Sequence, residues 1–182
     1  VTSVAFIANY LKTGMPLVRK RLTIDGSAIK NPQNVIVPIG TPISKVIEFC
    51  GGYKEEPRKL LMGGPMMGIT VYDTSLPILK QNNAILAFKG KAAESKPQTD
   101  CIRCGRCMRA CPMNLTPAPV EGALKNTNVD ELNALNVMHC MECGSCAYSC
   151  PAKKPLVQHM RLAKDVMRNC IAYSAFFGVF SA

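Results

Sequence analysis

Eight of the ten cysteines in this 182-residue chain fall into one pattern used twice. The run Cys101-x-x-Cys104-x-x-Cys107-x-x-x-Cys111-Pro112 returns as Cys140-x-x-Cys143-x-x-Cys146-x-x-x-Cys150-Pro151. Thiols three residues apart can be set by one tight loop on three corners of a small cube, while the fourth, directed by a proline, leaves the loop. Gly105 and Gly144 occupy the same place in each run. There a side chain would crowd the sulfurs, and a permissive backbone lets amide N–H groups turn toward them.

Such spacing is the ligand set of a pair of [4Fe–4S] clusters, in which each run gives three ligands to one cluster and its fourth to the other. One cluster then takes Cys101, Cys104, Cys107 and Cys150, and the other Cys140, Cys143, Cys146 and Cys111. Crossed ligation brings the clusters close and favours rapid electron passage between them. A zinc site built from two Cys-x-x-Cys pairs accounts for four ligands, not eight in a 3+1 arrangement. No nucleophile or acid–base pair accompanies the runs, so the reading is an electron carrier with no catalytic residues of its own. The remaining cysteines, Cys50 and Cys170, read as small buried hydrophobes, and His139, beside Cys140, as a surface or capping residue.

Thiolate ligation needs reduced cysteines, which points to a reducing compartment. The formal net charge is +10. A basic chain can meet nucleic acid, anionic lipid or an acidic partner. Nucleic acid is set aside, because Trp is absent and the longest basic block is Arg19-Lys20-Arg21. Arg103, Arg106 and Arg109 interleave the first run, and the second has no counterpart to them.

The expected fold class is α+β: a small β-grasp-like domain followed by a mostly helical dicluster domain. Val4, Ile7, Ala8 and Leu11 share a helical face that Gly14 and Pro16 end. Strands are expected at Arg19–Ile24, Asn34–Val37, Lys59–Met62, Thr70–Tyr72, Pro77–Leu79 and Ala84–Phe88, with a turn at Asp25-Gly26. Thr41 as N-cap and Pro42 at the first helical position predict a helix carrying Ile43, Val46, Ile47 and Cys50. The loop Met62-Gly63-Gly64-Pro65-Met66-Met67-Gly68 lacks the phosphate-binding signatures and reads as a tight turn with close backbone packing. Polar residues 91–100 form a linker. Between the runs, residues 112–139 predict two short helices, and Pro155 opens a last helix with Leu156, Met160, Ala163 and Met167 on one face. Residues 171–182 are an apolar tail too short to span a membrane.

Taken together, LMGGPMMG (61–68), CIRCGRCMRACPMNLTP (101–117) and CMECGSCAYSCPAKKPLVQHMRLAK (140–164) resemble the C subunit of the Rnf electron-transport complex. RLTIDGSAIKNPQNVIVPIGTP (21–42) is similar to that family's β-grasp SLBB segment. The resemblance implies residues 1–18 as the tail of an upstream flavoprotein-type domain, 19–90 as the SLBB domain, 91–100 as the linker and 101–170 as the helical 2×[4Fe–4S] domain. With Val1 not an initiator methionine, the chain is expected to be part of a longer protein, with FMN and NADH bound only upstream. The resemblance further implies a peripheral subunit on the cytoplasmic face of the bacterial membrane, partnered by other subunits of the complex and by an acidic ferredoxin-type protein. The parent would be a translocase coupling ferredoxin and NAD to Na⁺ or H⁺ movement. Two alternatives are a cobalamin reductase of bacterial microcompartments and a stand-alone electron-transfer module.

Overall fold

The computed structural model describes residues 2–178, and side chains from residue 3 to residue 170. The chain divides into two compact units, 1–94 and 95–182. In the first, helix α1 (Thr2–Thr13) precedes strands β1 (Arg19–Asp25) and β2 (Gln33–Pro38), helix α2 (Ile43–Phe49), and strands β3 (Lys59–Met62), β4 (Ile69–Val71) and β5 (Ala84–Phe88). The sheet order is β2-β1-β5-β3-β4. β1 pairs antiparallel with β2 and parallel with β5, and β3 pairs antiparallel with both β4 and β5. This is the mixed sheet with a crossing helix expected of an α+β chain.

Period-two patterning decides which face of the sheet is covered. Leu22 and Ile24 of β1, Val35 and Val37 of β2, and Ile85 and Ala87 of β5 are buried together with Ile43, Val46 and Ile47 of α2 and Cys50 at its C-cap. Full burial of an aliphatic side chain such as Ile24 or Ile85 is worth roughly 1.5–3 kcal/mol. Cys50 is fully buried, as its place on the apolar stripe predicts.

Two local expectations are corrected. Pro42, not Thr41, is the N-cap of α2, and no side chain caps the helix. The Thr41 hydroxyl instead donates to the Pro38 carbonyl, closing the preceding turn. Pro77–Leu79 is not a strand: Pro77 makes an isolated bridge to Pro42, and the Ile78 amide donates to the Thr41 carbonyl. Ile78 is nevertheless fully buried. The first helix stops at Thr13, where Gly14 takes the left-handed conformation (φ +67°) that ends it as expected.

The glycine loop behaves as its sequence says. The Gly68 amide donates to the Gly64 carbonyl at 2.6 Å. A Cβ on Gly68 would lie 2.5 Å from that same oxygen, so backbone meets backbone with no space for a side chain.

The second unit is helical. Helices α3 (Arg106–Arg109), α4 (Val120–Lys125), α5 (Val129–Ala134), α6 (Ser145–Ser149) and α7 (Leu156–Gly178) are joined by loops and a 3₁₀ turn at Val137–His139. Val120 and Ala123 of α4, Leu132 of α5 and Met160, Ala163 and Met167 of α7 form its core. The Asn128 side chain caps α5 by accepting from the Glu131 amide. Cys170 is exposed, against the expectation of a buried hydrophobe: it continues the face of Met160, Ala163 and Met167, but the core that face meets ends at Met167. The apolar stretch from Ile171 has its side chains outside the described residues. Among the described residues, no helix is long and apolar enough to cross a membrane.

Candidate metal centres

The two cysteine runs share a backbone as well as a spacing. Each contains a left-handed glycine that opens a short helix: Gly105 (φ 70°) before α3 and Gly144 (φ 81°) before α6. Left-handed non-glycine residues match as well. Arg103 (φ 53°) and Glu142 (φ 57°) each lie two residues into their run, and Asn114 and Lys153 (both φ 54°) each lie three residues past the last cysteine. Such conformations are costly for residues with a Cβ and cluster at functional sites.

The cysteines gather in the crossed sets. Cys101, Cys104, Cys107 and Cys150 line one cavity of about 180 Å³, with Gly105, Met108 and Leu156 in its wall. Cys111, Cys140, Cys143 and Cys146 line another, narrowed to about 10 Å³ and walled by Pro112, Gly144, Val157 and Met160. Backbone amides turn to sulfur in the second set: the Glu142 amide donates to Cys140 Sγ at 3.3 Å and the Leu115 amide to Cys111 Sγ at 3.4 Å. Four soft sulfur donors in an apolar wall are the donor chemistry of an iron–sulfur cubane, and the first cavity has the room for one. The second would have to widen.

Burial raises the Cys146 thiol to about 11 and also raises Cys107. Hydrogen bonding with the Ser145 side chain and backbone lowers Cys143. Buried thiols of this kind become ligands when metal charge replaces the hydration lost by the thiolate.

The two sets differ in surroundings. The first has Cys101 and Cys104 exposed and Cys150 buried, whereas the second has no exposed member, with Cys146 buried and Cys111, Cys140 and Cys143 half-buried. An ion-pair cluster backs the second run. Lys164 of α7, only 7% exposed, donates to the Cys140 carbonyl at 2.5 Å and to Glu142 Oε1 at 2.8 Å, and Arg161 Nε donates to Glu142 Oε2 at 3.0 Å. These bonds, that from Lys164 foremost, hold the Glu142 carboxyl below its usual range. Beside the first cavity, Lys154 Nζ reaches Glu121 Oε2 at 2.8 Å, and Lys125 reaches Oε1 at 3.1 Å. Neither ion-pair group is foreseen from the sequence. Glu142 and Lys164 lie 22 residues apart, with no local spacing to signal the pair. His139 is exposed on its 3₁₀ turn, in keeping with a surface role.

Comparison with known proteins places names on both units. An SLBB domain matches residues 21–70 and a 4Fe-4S dicluster domain residues 94–151. The C subunit of the Na(+)-translocating ferredoxin:NAD(+) oxidoreductase complex of Acetobacterium woodii is 42% identical over 164 residues, 90% of this chain and 37% of that protein. Over about 90% of its length this chain is homologous to Rnf-complex C subunits. The C subunit of the proton-translocating ferredoxin:NAD(+) oxidoreductase complex of Clostridium ljungdahlii is 42% identical over 89% of this chain and 36% of its own length. That of the ion-translocating oxidoreductase complex of Rhodobacter capsulatus is 40% identical over 85% and 30% respectively. The chain thus spans about a third of the length of these curated Rnf relatives.

Proposed function

We propose that this chain is the connecting and electron-passing part of an Rnf C subunit, carrying single electrons through two [4Fe–4S] clusters. The first is held by Cys101, Cys104, Cys107 and Cys150, the second by Cys140, Cys143, Cys146 and Cys111. The observation that carries this reading is the sorting of the eight thiols into two cavities, each closed by the last cysteine of the other run. When bound, such clusters exchange one electron each between their 2+ and 1+ states. The protein's part is to ligate through sulfur, exclude water with Leu156, Val157 and Met160, and fix the loops through left-handed backbone and the Glu142–Lys164 pair.

In the parent protein, FMN and NADH would bind in a different domain, and the SLBB unit would link that flavin domain to the clusters. The complex would act at the cytoplasmic face of the membrane, its other subunits and an acidic ferredoxin-type protein being the partners, with Na⁺ or H⁺ as the coupled ion. The names of the relatives support this over a cobalamin reductase.

Cluster assembly tests the assignment. Anaerobically reconstituted chain should contain about eight iron and eight sulfide. Cys150→Ser should reduce this to about four and leave the electron paramagnetic resonance signal that Cys101→Ser leaves. Cys111→Ser should match Cys140→Ser. If Cys150→Ser instead resembles Cys140→Ser, the crossed sets are wrong.

A further inference from the structure

The duplicated runs share their ligand skeleton but present different surfaces. Around the first, Ile102 is 69% and Met108 49% exposed, and Cys101 and Cys104 stand at the surface between them. Arg103, Arg106 and Arg109 are all exposed, as is Lys153 beyond Cys150. Arg109 folds back toward the loop, with its guanidinium 3.5 Å from the Cys104 carbonyl. The nearby acidic group Glu121 is neutralised by Lys154 and Lys125, which leaves Asp100 as the exposed negative charge adjoining the run. In the second run, the residue matching Arg103 is Glu142, and its charge is spent internally on Lys164 and Arg161. What that run exposes is neutral, chiefly Met141 and Tyr148.

We infer that the mouth of the first cluster site, an apolar centre of Ile102 and Met108 rimmed by Arg103, Arg106, Arg109 and Lys153, is the docking face for an acidic redox protein. Exposed sulfur ligands put the shortest path for an electron on this face. The rim supplies the long-range attraction that speeds encounter with a negatively charged partner, and the apolar centre the short-range contact that holds it. The electron step is balanced within the pair: one electron leaves the partner's reduced centre and takes one cluster here from 2+ to 1+, with no bond made or broken. The second cluster, none of whose cysteines is exposed, is the inward member of the relay. This inference rests on the dicluster reading above and adds to it the side on which the acidic partner binds.

The test uses the full chain loaded with clusters, and an acidic two-cluster ferredoxin as probe. Binding is measured by calorimetry, and electron exchange by anaerobic stopped flow after the probe is reduced with dithionite. Arg103→Glu, Arg106→Glu and Arg109→Glu together should weaken binding and slow exchange by at least about tenfold at low salt, with the difference fading as salt rises. The same reversal at Arg19, Arg21 and Lys80, exposed in the first unit, should leave both unchanged. If the glutamate triple fails to load, the Arg→Gln triple is read instead, with a smaller loss in the same direction. Wild-type chain that loads no iron or sulfide defeats the electron-transfer reading itself. Loaded chain whose binding ignores the rim charges, or responds equally to the control set, overturns the docking face alone.

Discussion

At the residue scale, conformation decides what each position tolerates. Gly26 shows this most directly: its φ is +119°, and a Cβ there would lie 2.1 Å from the Ala87 carbonyl oxygen. That oxygen accepts from the Ala28 amide, which ties the turn after β1 to β5, so it cannot easily withdraw. Gly26→Ala should destabilise the first unit by about 3 kcal/mol, read as an earlier denaturant midpoint for that unit. The Asp25-Gly26 turn was legible in the sequence, because Gly is the residue that accepts such a φ without cost. The left-handed conformations of Arg103, Glu142 and Lys153 were not. Their side chains carry no hint of it, and only superposing the two runs reveals the matched geometry.

At the scale of elements, spacing in the sequence served well wherever an apolar face meets a core. The face Leu156, Met160, Ala163 and Met167 of α7 is buried as its periodicity requires. The same rule fails for α1, whose Val4, Ile7 and Leu11 are 70%, 55% and 79% exposed. Periodicity reports that a face is apolar, not what covers it. Ion pairs between elements were invisible for a related reason, since partners such as Glu121 of α4 and Lys154 meet only after folding. The Glu121 carboxyl is held down to about 2, first by its hydrogen bond from Lys154 and then by that from Lys125. The folded pKa lies below the unfolded one, so the pair stabilises above about pH 4.5 and that contribution disappears as the pH falls toward 2. Glu121→Gln should therefore lower stability at neutral pH by roughly 1 kcal/mol, a figure reduced for partial exposure. In thermal unfolding the deficit should hold constant down to about pH 4.5 and narrow below it; a deficit that grows on acidification would contradict the pairing.

At the scale of the whole molecule, the spacing of the two cysteine runs pointed to this part of the chain before any coordinate, and the crossed sets it suggests are the ones that line the two cavities. The difference between the halves was not legible, because it lies in burial. Exposure of Cys101 and Cys104, against the burial of Cys146, has a consequence for survival in air. Dioxygen reaches a metal–sulfur body through whatever sulfur faces solvent, so decay should proceed in two steps. On aeration, iron release and bleaching should be biphasic, and the fast phase should remove the resonance signal that Cys101→Ser also lacks. The product of brief oxygen exposure is then a chain with its inner centre intact and its outer contact gone, able to store an electron and unable to hand it on.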